Sequence, residues 1–194
     1  DELEKKEKEL SGAAGGNFIR PQVGKTVVRF LPPKAGVKSP FQIVYEHFIQ
    51  PGPGQKKIRF SCPKRMEGKR CPACEKADSL RRTQNPADRE RAYSLYPSKR
   101  IYANVIDRAN PDEGPKVMPF GVTIFDALKS IRAEDGDFTN PEADGFDIVI
   151  LREGTKKHDT RYEVRPDRKD SPLGNMEWIE QQWDLSKYAR VDTL

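Results

Sequence analysis

Three cysteines fall within thirteen residues of a 194-residue chain that has no others: Cys62, Cys71 and Cys74. An odd, clustered set is a poor disulfide framework and points to a reducing compartment. The spacing Cys71-Pro72-Ala73-Cys74 lets two thiolates reach one ion from a tight turn, and Cys62-Pro63 supplies a third. A structural zinc takes four tetrahedral ligands, and three cysteines with one histidine are a standard set. The chain has two histidines. His47 lies on an otherwise apolar strand pattern, where a buried neutral imidazole needs a partner and a metal is one. His158 follows two lysines in a polar loop. The pattern therefore predicts one structural zinc on His47, Cys62, Cys71 and Cys74, with His158 as the other candidate for the fourth ligand. The alternative is three unrelated thiols and an ordinary core histidine. A base deaminase needs His-x-Glu and Pro-Cys-x-x-Cys; here Phe48 and Ile49 follow His47, and Arg70 precedes Cys71. No His-Glu-x-x-His occurs either, and four protein ligands leave no open position for water.

The rest of the chain reads as short strands with two long excursions. Thr26–Leu31 is a strand closed by Pro32 and Pro33, and Phe41–Ile49 is a second, with Ile43, Tyr45, His47 and Ile49 on one face. Cys71–Arg82 can form a helix, and Asn85-Pro86 caps another that runs to about Leu95. Lys99–Asp107 and Lys116–Phe120 read as strands. Ile124, Phe125, Leu128 and Ile131 have helical spacing. Phe146–Arg152 and Thr160–Arg165 form a hairpin, and Asn175–Leu185 looks helical. The expected class is mainly β with helical excursions (α+β): an OB-fold-like five-stranded barrel with an inserted zinc-binding subdomain. The expected division is a charged helix and flexible link over 1–16, a core over 17–186 with the zinc subdomain at 47–97, and an extension over 187–194. The chain opens on Asp1, with no signal-peptide pattern and no apolar run of roughly 20 residues. A fragment or processed core of an intracellular protein is expected, with no membrane partner.

Charge narrows the function. The net charge is only +5, yet Gln55–Asn104 holds 14 Lys and Arg against 5 Asp and Glu, a local balance of +9. Nucleic acid is the commonest partner of such a cationic face; the bland reading is a solvated patch. Along Arg100–Ile106, residues Ile101, Ala103 and Val105 share the face that suits a core. Arg100, Tyr102 and Asn104 then point outward, so Tyr102 is expected to stack on bases beside a cation that meets phosphate. Tyr93, Tyr96 and Lys99 join this surface, and Lys56, Lys57, Arg59, Lys64, Arg65, Arg81 and Arg82 are candidate phosphate contacts. No cluster of acids suited to Mg²⁺ and no nucleophile–base pair is legible, so an enzyme is not expected. A zinc-containing RNA-binding or transcription-regulatory factor with sequence preference is the alternative to a single-strand binder.

These features together resemble the single-stranded DNA-binding (helix-destabilising) proteins of T-even-type bacteriophages. The resemblance runs from Gly24-Lys25-Thr26-Val27-Val28-Arg29 through His47, Cys62-Pro63 and Cys71-Pro72-Ala73-Cys74-Glu75. It continues over Tyr93-Ser94-Leu95, Lys99-Arg100, Tyr102-Ala103-Asn104-Val105, Phe120-Gly121, Ile124-Phe125-Asp126 and Asp184-Leu185-Ser186. It implies an OB-fold with an inserted zinc subdomain, metal on His47, Cys62, Cys71 and Cys74, and DNA contacts at Tyr93, Lys99, Arg100 and Tyr102. It also implies a protein that coats single strands during phage replication, recombination and repair, in the cytoplasm of an infected bacterial host. Members self-associate along DNA through a basic N-terminal segment that residues 1–16 do not match. They recruit replication and recombination proteins through an acidic tail, which this chain lacks before Leu194.

Overall fold

The computed structural model describes residues 16–156 and 158–191. The expected N-terminal helix over 1–10 lies outside the described residues. The elements, in order, are β1 (Gly24–Phe30), β2 (Phe41–Ile49), β3 (Ile58–Ser61), α1 (Pro63–Glu67), α2 (Pro72–Arg81), α3 (Pro86–Leu95), β4 (Ser98–Asp107), β5 (Pro115–Phe120), α4 (Val122–Glu134), β6 (Phe146–Glu153), β7 (Arg161–Asp170) and α5 (Glu177–Glu180). Local chemistry sets many of the boundaries. Pro32 and Pro33 cannot donate to a ladder and stop β1. The Asn85 side chain accepts from the Ala87 amide at 3.0 Å, and Pro86 opens α3. Gly154 turns the β6–β7 hairpin at a φ of 77°, where a β-carbon would collide with the Asp159 carbonyl.

The ladders β1–β4, β1–β6, β2–β3, β4–β5 and β6–β7 are antiparallel. The strand order is β3-β2-β4-β1-β6-β7, with β5 on β4. Seven strands stand where five or six were expected, and no pairing of β3 with β7 closes them among the described residues. The added strand is β3, four residues whose first two are exposed. It carries no apolar pattern of its own and exists by pairing with β2, Phe60 opposite His47. The chain divides into two compact units. One holds the residues up to Gln42 and Ile101–Leu185; the other holds Ile43–Arg100 and the residues from Ser186 on.

The first unit has an aromatic core. Phe30 meets Phe41, Phe120 and Phe138 edge-on, with centroids 5.9, 6.1 and 5.4 Å apart. The apolar stripe of α4 delivers Ile124, Leu128 and Ile131 to the interior. Arg29 is fully buried beside this core. Its guanidinium donates to the Ser171 carbonyl at 2.9 Å and the Asn140 carbonyl at 2.6 Å, and pairs with Asp147 at 3.4 Å. Arg108 holds the same carboxylate at 3.0 Å. Burial pushes the Arg29 pKa down, and Asp147 pulls it back. Gly145 makes room for this, since a β-carbon there would strike both the Asn140 carbonyl and the Arg29 guanidinium. Arg29→Met should cost about 3 kcal/mol, because two partly buried carbonyls lose their donor and the Asp147 carboxylate loses a buried cation. Urea unfolding reads this directly; an unchanged midpoint would show that the network contributes nothing.

Two expectations fail here. Tyr102 is fully buried, as are Ile101 and Ala103. The strand β4 is central, flanked by β1 and β5, and is covered on both faces from Ile101 to Ile106. The supposed outer face meets the chain around Trp183. There the Asn104 amide donates to the Trp183 carbonyl at 3.0 Å, and the Trp183 amide donates to Asn104 Oδ1 at 2.9 Å. The helix expected over Asn175–Leu185 shrinks to α5, followed by a 3₁₀ turn over Leu185–Ala189. The same Asn104 bonds explain it: they hold the Trp183 backbone groups that a continuing helix would use.

Candidate metal centre and nucleic-acid interface

The second unit brings together the three cysteines singled out by their spacing and His47, the favoured fourth candidate. Each Cys-Pro pair works in the same way. Proline disfavours the α region for the residue before it, so Cys62 (ψ 113°) and Cys71 (ψ 108°) are extended and each sits just ahead of a helix that starts at the proline. The Cys62 amide donates to the Tyr45 carbonyl at 2.7 Å, tying the end of β3 to β2. Cys74 follows in the first turn of α2. His47 approaches from β2.

All four ligand atoms lie within 4.8 Å of one another, and all four residues are buried. Cys62 Sγ is 3.6 Å from Cys74 Sγ, and His47 Nε2 is 3.3 Å from Cys71 Sγ and 3.7 Å from Cys74 Sγ. His47 Nδ1 is 2.7 Å from the Leu95 carbonyl, which can only accept, so Nδ1 carries the proton and Nε2 presents its lone pair to the sulfurs. Phe60 stacks on the imidazole at 4.8 Å and fixes its plane. Burial lowers the His47 pKa, and the Leu95 bond raises it, so burial wins and the ring is neutral. Burial, then contacts with Cys62 and Cys71, pushes the Cys74 thiol up to about 12. Three buried thiols facing one imidazole nitrogen are a closed set of donors that could hold one metal ion. His158 is exposed and outside the cluster. The Leu95 carbonyl and Phe60 ring went unread in the sequence, because a main-chain acceptor and a stacking partner leave no residue-type signal.

The candidate nucleic-acid residues divide by surroundings. Lys56, Lys57, Arg81 and Arg82 are exposed. Tyr93 is 71 % exposed, the most exposed of the large apolar side chains. Lys99 and Arg100 are half-buried. Others are engaged: Lys64 with Asp78 at 3.4 Å, Arg59 with Glu46 at 3.7 Å, and Arg65 5.8 Å above the Tyr45 ring. The Tyr96 hydroxyl donates to Asp78 at 2.7 Å, which raises the tyrosine pKa and lowers that of the carboxylate. All of these lie in the second unit with the metal cage, whereas Tyr102 lies in the first and is closed off from bases.

A mainly antiparallel β-protein with a buried Cys₃His cluster able to hold one metal ion, in a unit that also carries exposed cations and an exposed tyrosine, has the make-up of a nucleic-acid binder. Comparison with protein families agrees: the family model described as gp32 DNA binding protein like matches residues 22–193. The chain belongs to this DNA-binding family. A comparison with curated protein sequences gives no match.

Proposed function

We propose that this protein coats single-stranded DNA without reading its sequence, during phage replication, recombination and repair in the cytoplasm of an infected bacterium. In this reading the core is OB-like, the metal is zinc, copies self-associate along the strand, and replication and recombination proteins bind alongside. The observation that carries it is the company the metal cage keeps. One unit combines a Cys₃His centre with the exposed cations Lys56, Lys57, Arg81 and Arg82 and the exposed ring of Tyr93. Zinc suits the cage: bonds of about 2.3 Å to sulfur and about 2.0–2.1 Å to nitrogen require tetrahedral edges of roughly 3.6–3.8 Å. Three of the six edges here are 3.3, 3.6 and 3.7 Å, and none exceeds 4.8 Å. A zinc held this way organises the backbone and performs no reaction. The cations track phosphates, and an exposed ring can stack on any base.

Titration of single-stranded against duplex DNA over a range of salt tests this. Log K should fall with log salt at about −0.7 per phosphate contacted, near −3 for four or five contacts. Arg82→Ala should lower that slope by about 0.7. Tyr93→Ala should weaken binding by about 5- to 150-fold at unchanged slope, similarly on all homopolymers. A flat salt response would refute backbone tracking, and a Tyr93 effect confined to one base would favour the sequence-preferring alternative.

A further inference from the structure

The β2–β3 hairpin has two faces, and only one serves the metal. Side chains alternate along a strand, so Glu46 and Phe48 point away from His47, with Ser61 and Arg59 opposite them. On this reverse face lies a depression of about 300 Å³, lined by Glu46, Arg59 and Ser61 from the hairpin and by Lys187, Tyr188 and Arg190 from the C-terminal segment. That is the low end of the range for small-ligand sites, about 300 Å³ upward. Ser61 Oγ donates to the Tyr188 carbonyl at 3.0 Å and fixes the segment against the hairpin. The Lys187 ammonium stands 5.1 Å from the centre of the Tyr188 ring. Burial raises the Tyr188 pKa, outweighing Arg59, and keeps the phenol neutral.

Charge is ordered across this depression. Glu46, only 2 % exposed, forms the floor. Arg59, Lys187 and Arg190 are exposed at the rim. A matching ligand carries donors at its inner end and negative charge at its outer end. A nucleotide with its base inward does so, and the bases differ in what they show a carboxylate. Guanine presents two adjacent donors, N1–H and the N2 amine, to the two oxygens. Cytosine and adenine offer one amine each, and thymine offers one N–H between two repelling carbonyls. The Arg59 guanidinium is 3.7 Å from Glu46 and 45 % exposed, so it can swing to an incoming phosphate and uncover the carboxylate. The pairing is long, and the buried carboxylate keeps a donor throughout only if the ligand's N–H groups replace the guanidinium as it leaves, which a guanine edge does.

We propose that this depression is a guanine-nucleotide subsite in which Glu46 receives the Watson–Crick edge of one guanine and Arg59, Lys187 and Arg190 hold its phosphate. It rests on the single-strand reading above and adds a modest base preference to binding that is otherwise indifferent to sequence. The test compares binding of the metal-loaded protein to an oligo-dT, to the same oligo-dT with one internal deoxyguanosine, and to one with deoxyinosine, which lacks the N2 amine. The deoxyguanosine strand should bind about 5- to 10-fold more tightly than oligo-dT, with deoxyinosine between them. Glu46→Gln should abolish the difference while keeping its metal and its oligo-dT affinity. Competition by free deoxyguanosine monophosphate, with no gain from deoxyguanosine in the strand, would assign the site to a free nucleotide and overturn the strand subsite. Equal binding of all three oligonucleotides, or a guanine preference that survives Glu46→Gln, overturns the proposal. Should Glu46→Gln lose its metal, the deoxyinosine comparison decides alone, equal binding of deoxyinosine and deoxyguanosine being the refuting result. Binding of none of the three refutes the single-strand reading itself.

Discussion

Chelation of the metal is expected to unravel the unit containing Ile43–Arg100 while the sheet of β1, β4 and β5–β7 persists. The reason is how little else holds that unit. Helix α1 has no buried residue, α3 buries only Ala92, and α2 buries Ala77, Leu80 and Cys74. Cys62, Cys71 and Cys74 form a buried cluster there, with Tyr45 and Ala73 against it. A metal joining strand β2, the end of β3 and the start of α2 would replace the missing apolar contacts, and such sites contribute about 10–16 kcal/mol in small metal-folded domains. Chelator should therefore remove helical circular dichroism and single-strand affinity together. His47→Ala should lose metal, and His158→Ala should keep it. Protein purified without chelator that contains no metal would end this account.

The pH dependence has opposite signs with and without the ion. In the metal-free fold, burial lifts the Cys74 thiol from an ordinary 9.0 to about 12. A raised pKa favours the protonated, folded form. That contribution is complete below about pH 9 and drains away as pH rises through 12. With metal bound the thiolates are required, so acid competes and the ion is released as pH falls. Melting curves with and without chelator should thus converge toward acid and separate toward neutrality. Curves that coincide across this range would mean that the cage holds no ion.

Tyr102→Ala is expected to destabilise the protein by about 3–5 kcal/mol, the cost of truncating a large buried ring. The ring has no solvent exposure and sits on β4 opposite Pro119 of β5. Loss of DNA binding in this variant should track loss of folded protein. Tyr93→Ala removes a ring that is already 71 % exposed, so it should leave the urea midpoint almost unmoved while weakening single-strand binding. The pair separates a core tyrosine from a surface one. A Tyr102→Ala protein with unchanged stability would show that the ring is dispensable to the core.

What the sequence determined by itself is local or short-range. The two Cys-Pro pairs and the Cys-x-x-Cys spacing dictate extended cysteines at helix starts, and the apolar pattern around His47 marked it as the residue that joins them, so the cluster of four candidate ligands was legible. Asn85-Pro86 and the α4 stripe likewise carry their structure in neighbouring residues. Tertiary structure alone decided the rest. Alternation in Arg100–Ile106 cannot reveal that a segment some eighty residues later caps its polar face through Asn104 and Trp183. The same pairing cut short a helix whose periodicity was sound. β3 has no pattern to read, because its partner makes it a strand, and Leu95 orients His47 through a carbonyl that every residue possesses. Short-range chemistry is written in residue types, whereas burial and backbone pairing depend on which distant segment arrives to supply them.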